Sequence, residues 1–147
     1  MTPRPFHPPA VRRRLRVIRQ MLDDLEAMGE FTQQRLREDR VSRLAAERVL
    51  TQIVDLAAGV NTHLAAAVLA HAPESNTESF TLAAKTGAID PELARQLIPS
   101  VKFRNILIHD YLDVDDEKFL LAVRLAPEQY GRYVQQVAGW LLKRLED

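Results

Sequence analysis

Four polar side chains that could do chemistry together lie among apolar residues in one short stretch, residues 101–111, which reads Val-Lys-Phe-Arg-Asn-Ile-Leu-Ile-His-Asp-Tyr. They are Arg104, Asn105, His109 and Tyr111. Arginine binds phosphate through paired N–H groups, histidine transfers protons near neutral pH, and asparagine can orient either one. RNA brings its own nucleophile, the 2′-hydroxyl. The set therefore suits metal-independent RNA cleavage, and it equally suits plain nucleotide binding.

The spacing of these residues restricts how they act together. On an ideal helix, Asn105 and His109 share one face, and Arg104 and Tyr111 share a neighbouring direction. Arg104 and His109 are then about 140° apart. One helix aims both at a single atom only if its end unwinds or if a second copy of the chain contributes.

Most other catalytic motifs are absent. The chain has no cysteine, which excludes disulfides, cysteine–zinc sites, iron–sulfur clusters and a thiol nucleophile. It has no glycine-rich phosphate loop, His-Glu-x-x-His or Gly-x-Ser-x-Gly. A di-iron helix bundle needs Glu-x-x-His pairs, and no histidine here has a glutamate three residues before it. We therefore expect no metal site and no cofactor.

Apolar periodicity predicts an all-α protein. Apolar residues at positions 11, 15, 18, 22 and 25 predict a first helix that ends near Gly29. A short helix or turn is predicted over 31–39, a long helix over 39–71, and a short helix over 78–86 that ends at Gly87. No alternating strand pattern is present, so we predict a four-helix up-down bundle with short extra helices.

Two later helices contain a proline. Asp90 and Pro91 predict the start of a helix in which Pro99 introduces a kink or a restart. Asp115 predicts the start of the last helix, which is expected to break or bend at Pro127.

The length of 147 residues and a hydrophobic share of 46% suit one domain. Residues 1–10, rich in proline, are predicted to form an irregular arm, and residues 11–147 a single helical domain. No apolar run approaches the ~20 residues of a membrane span, and no secretory signal is recognisable. We therefore predict a cytoplasmic protein that does not contact membranes.

The formal net charge is zero, but the amino-terminal segment is basic. Residues 1–22 contain no acidic residue and several arginines: Arg4, Arg12, Arg13, Arg14, Arg16 and Arg19. Such a segment suits a nucleic acid or an acidic partner, and it also suits an ordinary solvated helix face.

The segment Arg104-Asn-Ile-Leu-Ile-His109-Asp-Tyr111 resembles the Arg-x-x-x-x-His-x-Tyr motif of HepT-like toxins in the HEPN (higher eukaryote and prokaryote nucleotide-binding) superfamily. Residues 78–94 are similar to the segment that precedes the motif helix in this family, and Tyr-Leu-Asp-Val-Asp after the motif also fits. The resemblance covers roughly residues 11–147.

This resemblance implies a helical homodimer in which Arg104, Asn105 and His109 line a shared cleft. It implies a ribonuclease toxin with an RNA substrate, and a minimal nucleotidyltransferase (MNT) antitoxin as partner. In the family, the antitoxin transfers AMP from ATP to the motif tyrosine, here Tyr111. The added phosphates then place negative charge where the RNA backbone binds.

Alternatives remain open at this point. A non-cleaving HEPN protein that binds a nucleotidyltransferase, or presents a nucleotide, shares the same fold. A DNA-binding regulator that uses the basic first helix lacks a helix-turn-helix signature. Tyr111 is either the AMP acceptor or an ordinary core or interface aromatic. The Pro-rich arm and residues 12–14 lie outside the motif and have no assigned role.

Overall fold

The structure is a computed structural model, and it describes residues 5–146. Six α-helices follow one another along the chain, and no strand occurs within the described residues. They are α1 (Pro8–Ala27), α2 (Gln33–Glu38), α3 (Arg40–Leu64), α4 (Asn76–Thr86), α5 (Pro91–His109) and α6 (Asp116–Glu146). The prediction of an all-α fold is confirmed.

The four long helices α1, α3, α5 and α6 enclose one apolar core. α1 packs on α3 and α6, and α5 packs on α3, α4 and α6. All five apolar positions that predicted α1 are buried. The core also takes side chains from the other long helices, among them Ile53, Leu97, Phe119 and Tyr133. The predicted four-helix bundle with short extra helices is therefore confirmed, with α2 and α4 as the extra helices.

The first helix begins earlier than predicted. Pro8 and Pro9 occupy its first turn, where a missing backbone N–H costs no hydrogen bond. The expected irregular arm is therefore wrong for residues 8–10, and its residues 1–4 lie outside the described part of the chain. Phe6 fixes the entry to α1, because its ring packs edge-on against Trp140 with centroids 5.8 Å apart.

Capping residues predicted from the sequence mark the helix ends. Gly87 ends α4 with a φ of 89°, which favours glycine. The Oδ1 atom of Asp90 accepts a hydrogen bond from the Leu93 amide at 2.7 Å, and this bond lowers the pKa of the Asp90 carboxyl. The Oδ1 atom of Asp115 accepts from the Glu117 amide at 2.8 Å. These caps fix where α5 and α6 start.

Neither internal proline ends its helix. α5 continues through Pro99, and α6 continues through Pro127. Each proline removes one helical hydrogen bond, but buried residues on both sides keep the helix docked on the core. In α5 these residues are Leu97 and Val101. The restart and the break allowed for at these positions do not occur, and α5 carries its residues to His109 without interruption.

One helix within residues 5–146 is long and apolar enough to cross a membrane, judged by length and composition alone. This helix consists of α3 and the π-helical turn that continues it, Ala65–Leu69. Its buried side chains pack against the other helices of the bundle, and Ala46, Ala57, Val60 and Leu64 are each fully buried. The helix occupies the position of a core helix.

Candidate functional site

The four candidate residues lie at the carboxyl end of α5. Arg104 and Asn105 are in its last turns, and His109 is its final residue. Tyr111 follows in a single 3₁₀ turn, Tyr111–Asp113. Asn105, His109 and Tyr111 are exposed, whereas only 20% of the side-chain surface of Arg104 is exposed. One end of one helix therefore presents all four groups close to solvent.

The guanidinium of Arg104 is held by two neighbours. Its Nε donates to Oδ1 of Asp55 on α3 at 2.9 Å, and its Nη2 donates to Oδ2 of Asp55 at 3.3 Å. Its Nη1 donates to Oδ1 of Asn105 at 3.3 Å. A guanidinium has five N–H groups, so this arrangement leaves two for a ligand, one on each Nη. The pairing fixes the plane of the guanidinium.

Asp55 is a site residue that sequence reasoning missed. It lies 49 positions before Arg104 and belongs to no motif, so no local pattern marks it. It sits on the exposed face of α3 with 43% of its side chain accessible. The only local signal is a carboxylate within an otherwise apolar helical segment, which usually reads as a solvated position.

The side chain of His109 makes no hydrogen bond or ion pair with any other described residue. The helix stays regular up to it, because the Asp110 amide still donates to the Ile106 carbonyl at 2.9 Å. An unwound helix end therefore does not turn His109 toward Arg104. The regular helix end therefore excludes one of the two arrangements that the spacing left open, the unwound end.

Tyr111 departs from the predicted helix direction. Because α5 ends at His109, the expectation that Arg104 and Tyr111 share a direction on one helix is wrong. Tyr111 is 46% exposed, which excludes a place in the core of this chain. The chain's other two tyrosines, Tyr130 and Tyr133, are buried, and burial raises the pKa of both phenols. Tyr111 thus has the one exposed phenol among the three.

An apolar groove lies beside Arg104, between α5 and α6, and residues of α3 also line it. It has a volume of about 460 Å³. Its lining is mostly apolar and includes Ile53, Pro99, Phe103, Leu107 and Leu125, with Arg104 among the few charged members. Leu121, on its α6 side, is 50% exposed. The site therefore borders an apolar surface that this single chain does not cover.

Comparison with known proteins gives consistent matches. The family model for ribonuclease HepT-like proteins matches residues 18–137. The tRNA nuclease HepT of Aphanizomenon flos-aquae (strain 2012/KM1/D3) is 30% identical over 142 residues, which covers 97% of each chain.

Solved structures share the fold. The tri-AMPylated HEPN toxin of Shewanella oneidensis, solved in complex with its MNT antitoxin, aligns with a TM-score of 0.80 and 18% identity over 88% of this chain and 97% of that one. Bacillus subtilis YutE, a cytosolic protein of unknown function, aligns with a TM-score of 0.77 and 12% identity over 93% of this chain and 92% of that one.

Proposed function

Because this chain belongs to the HepT-like ribonuclease family, we propose that it is the toxin of a HEPN–MNT toxin–antitoxin pair and cleaves RNA without a metal ion. The observation that carries the proposal is the arrangement at the end of α5. Arg104 is held in place by Asp55 with two N–H groups left for a phosphate, and the exposed His109 has no partner among residues 5–146. The similarity to a tRNA nuclease makes transfer RNA the first substrate to test.

The proposed reaction uses the 2′-hydroxyl of the substrate as the nucleophile. Its oxygen bonds to the adjacent phosphorus while the bond to the 5′-oxygen of the next nucleotide breaks. The products are a 2′,3′-cyclic phosphate and a 5′-hydroxyl. One proton leaves the nucleophile and one reaches the leaving oxygen, and histidine suits both transfers. Arg104 stabilises the extra charge on the phosphate oxygens, and Asn105 orients Arg104 through their hydrogen bond.

The active form in this proposal is a homodimer with the two copies of α5 brought together. The regular end of α5 keeps Arg104 and His109 apart within one chain, so the second copy supplies the missing group. The apolar groove beside Arg104 gives the partner a surface to cover, because exposed apolar patches mark association surfaces. Arg104 of one copy and His109 of the other then line the same cleft.

Mixing two inactive variants tests this composite site. We expect neither Arg104→Ala nor His109→Ala to cleave RNA alone, and we expect partial recovery when the two proteins are mixed and allowed to exchange subunits. A mixed dimer combines the intact Arg104 of one chain with the intact His109 of the other. The measurement is the RNA cleavage rate together with sedimentation at micromolar concentration.

Two results would contradict the composite site. One is a native protein that sediments as a monomer and still cleaves RNA. The other is a mixture that forms mixed dimers, verified by differently tagged chains, without any recovery of activity. A mixture of two differently tagged His109→Ala chains is the matched reference, because these chains exchange subunits but rebuild no site.

The antitoxin partner is proposed to act through Tyr111. The HEPN toxin of S. oneidensis is AMPylated and bound to an MNT antitoxin, which supports the same chemistry here. The exposed phenol of Tyr111 follows His109 by two residues, so each added AMP brings negative charge and bulk to the mouth of the site. We place the whole system in the cytoplasm, where RNA and ATP are available.

The alternative, a non-cleaving HEPN protein that binds a nucleotidyltransferase or presents a nucleotide, also fits the fold. It predicts that the purified chain binds nucleotide or antitoxin and leaves RNA intact. The paired and oriented Arg104 favours the nuclease, because a rigid guanidinium serves charge that develops during a reaction. RNA cleavage by the isolated protein separates the two.

A further inference from the structure

Arg14 extends from α1 onto the outer surface of α3 at Gly59. A Cβ atom on Gly59 would lie 3.3 Å from Nε of Arg14 and 4.0 Å from its Cζ, so the arginine lies against bare helix backbone. Asp55, which holds Arg104, is one helical turn earlier on the same helix, about 6 Å along its axis. Guanidinium groups from two different helices therefore approach neighbouring turns of α3.

These two guanidinium groups reach α3 from different sides. α1 and α5 each pack on α3, but they make no contact with each other among the described residues. Asp55 is exposed, and Gly59 is partly exposed, so this part of α3 faces solvent between the two flanking helices. Arg104 marks one side of that strip and Arg14 the other.

Arg14 on the α3 side of α1 and Arg13, which points about 100° away from it toward solvent on an ideal helix, carry uncompensated positive charge. Arg13 and Arg14 are exposed, and within residues 5–146 neither forms a hydrogen bond or an ion pair. By contrast, Arg19 forms an ion pair with Asp23, with Nη2 of Arg19 3.7 Å from Oδ1 of Asp23. The one carboxylate on the strip, that of Asp55, is already bound by Arg104. An anion that crosses α3 at this level meets arginines that have no internal counter-charge.

We propose that Arg104, Arg14 and Arg13 form an arginine track that crosses α3 and continues onto the outer face of α1, and that it binds successive backbone phosphates of RNA beside the cleaved bond. This inference rests on the proposed function, and it gives the unassigned basic segment a role. The track starts at Arg104, which binds a phosphate of the RNA in the proposed reaction. The same RNA strand then extends along the other two arginines. Phosphate contacts of this kind set position and affinity without reading sequence.

RNA fits this track better than an acidic protein does. A polyanionic strand supplies regularly spaced charges, and each neutralised phosphate releases counterions, which makes binding depend steeply on salt. An acidic protein bound at the same place would cover Arg104. RNA bound on the track should therefore bind more tightly as its length increases, whereas an acidic protein bound there should compete with RNA for Arg104.

The test compares two double variants in a His109→Ala background, so that RNA is not consumed. The first, Arg13→Gln/Arg14→Gln, removes the α1 part of the track. The control, Arg12→Gln/Arg19→Gln, removes the same charge from the same helix on its α6 side. Nη1 of Arg19 would lie 3.6 Å from a Cβ on Gly131 of α6, and Arg12 points within about 20° of Arg19 on an ideal helix.

Fluorescence anisotropy with labelled RNA gives the readout. For an RNA of about 20 nucleotides, we expect the Arg13/Arg14 variant to lose about tenfold or more in affinity and its salt slope to fall by about 2. The loss should be smaller for an RNA of about four nucleotides, which is too short to cover the whole track. The control should lose much less, and circular dichroism should show the same helix content in all variants.

The outcomes separate this inference from the proposed function. Equal losses in both variants, or no loss in the Arg13/Arg14 variant while native protein cleaves RNA, would overturn the track alone. A variant that loses antitoxin binding but keeps its RNA affinity would also overturn it, in favour of an acidic protein partner. A native chain that neither binds nor cleaves RNA would overturn the proposed function and the track with it.

Discussion

The His109→Ala protein is expected to cleave RNA about 10²–10⁴-fold more slowly than the native protein, the range typical of a lost general acid or base. Histidine is the side-chain type that suits proton transfer near neutral pH, and His109 is the only histidine among the four candidate residues. The side chain of His109 is exposed and forms no hydrogen bond or ion pair within residues 5–146. Replacing it by alanine therefore removes the proton transfer and leaves the helical bundle folded. Single-turnover cleavage rates measure the effect.

The matched control is His71→Ala, which removes another exposed histidine from the same chain. His71 contacts Glu78 at 3.3 Å, away from the end of α5, so we expect native cleavage rates from this variant. Circular dichroism of both proteins reports whether the helices are intact. A well-folded His109→Ala protein that cleaves RNA at the native rate would reject the assignment of His109.

The Tyr111→Phe protein is expected to remain an active nuclease that antitoxin and ATP no longer silence. The substitution keeps the ring and removes only the hydroxyl. In the proposed modification, that oxygen bonds to the α-phosphorus of ATP and pyrophosphate leaves, so phenylalanine has no acceptor atom. Tyr130 and Tyr133 are buried and do not replace it. The expected effect is a complete loss of silencing.

Mass spectrometry after incubation with the cognate transferase and ATP decides this point. Native protein should gain AMP-sized increments on Tyr111 and lose RNA binding and cleavage together. Tyr130→Phe is the matched control, since it also removes one phenol and should still be modified. If Tyr111→Phe protein still gains AMP, or if the increment maps to another residue, Tyr111 has no part in silencing.

Local signals predicted most of the fold because they act within a few residues of one another. The apolar stripe of α1, the cap at Asp90 and the turn at Gly87 each lie where the sequence indicated. The prolines were harder, since whether Pro99 or Pro127 ends a helix depends on packing around it. Both helices stay continuous because residues on both sides of each proline are buried. A sequence window of a few residues does not show which residues will be buried.

The site was only half visible in the sequence for the same reason. The motif placed Arg104, Asn105 and His109 in the last turns of one helix, and residues this near in sequence stay on the same helix end in any fold. The partner that fixes Arg104, Asp55, comes from a different helix and appears only after packing. The position of Tyr111 depended on where α5 ends, and helix ends are the least predictable part of a helix.

The most direct test of the central claim is RNA cleavage by the purified native chain in the presence of EDTA. The paired substrate is the same RNA with a 2′-deoxy nucleotide at the mapped cleavage position, which removes the nucleophile. The proposed chemistry predicts that the RNA is cut to a 2′,3′-cyclic phosphate and a 5′-hydroxyl while the 2′-deoxy substrate stays intact at that position. Cleavage that requires a divalent metal ion, or that proceeds at the 2′-deoxy position, would contradict it.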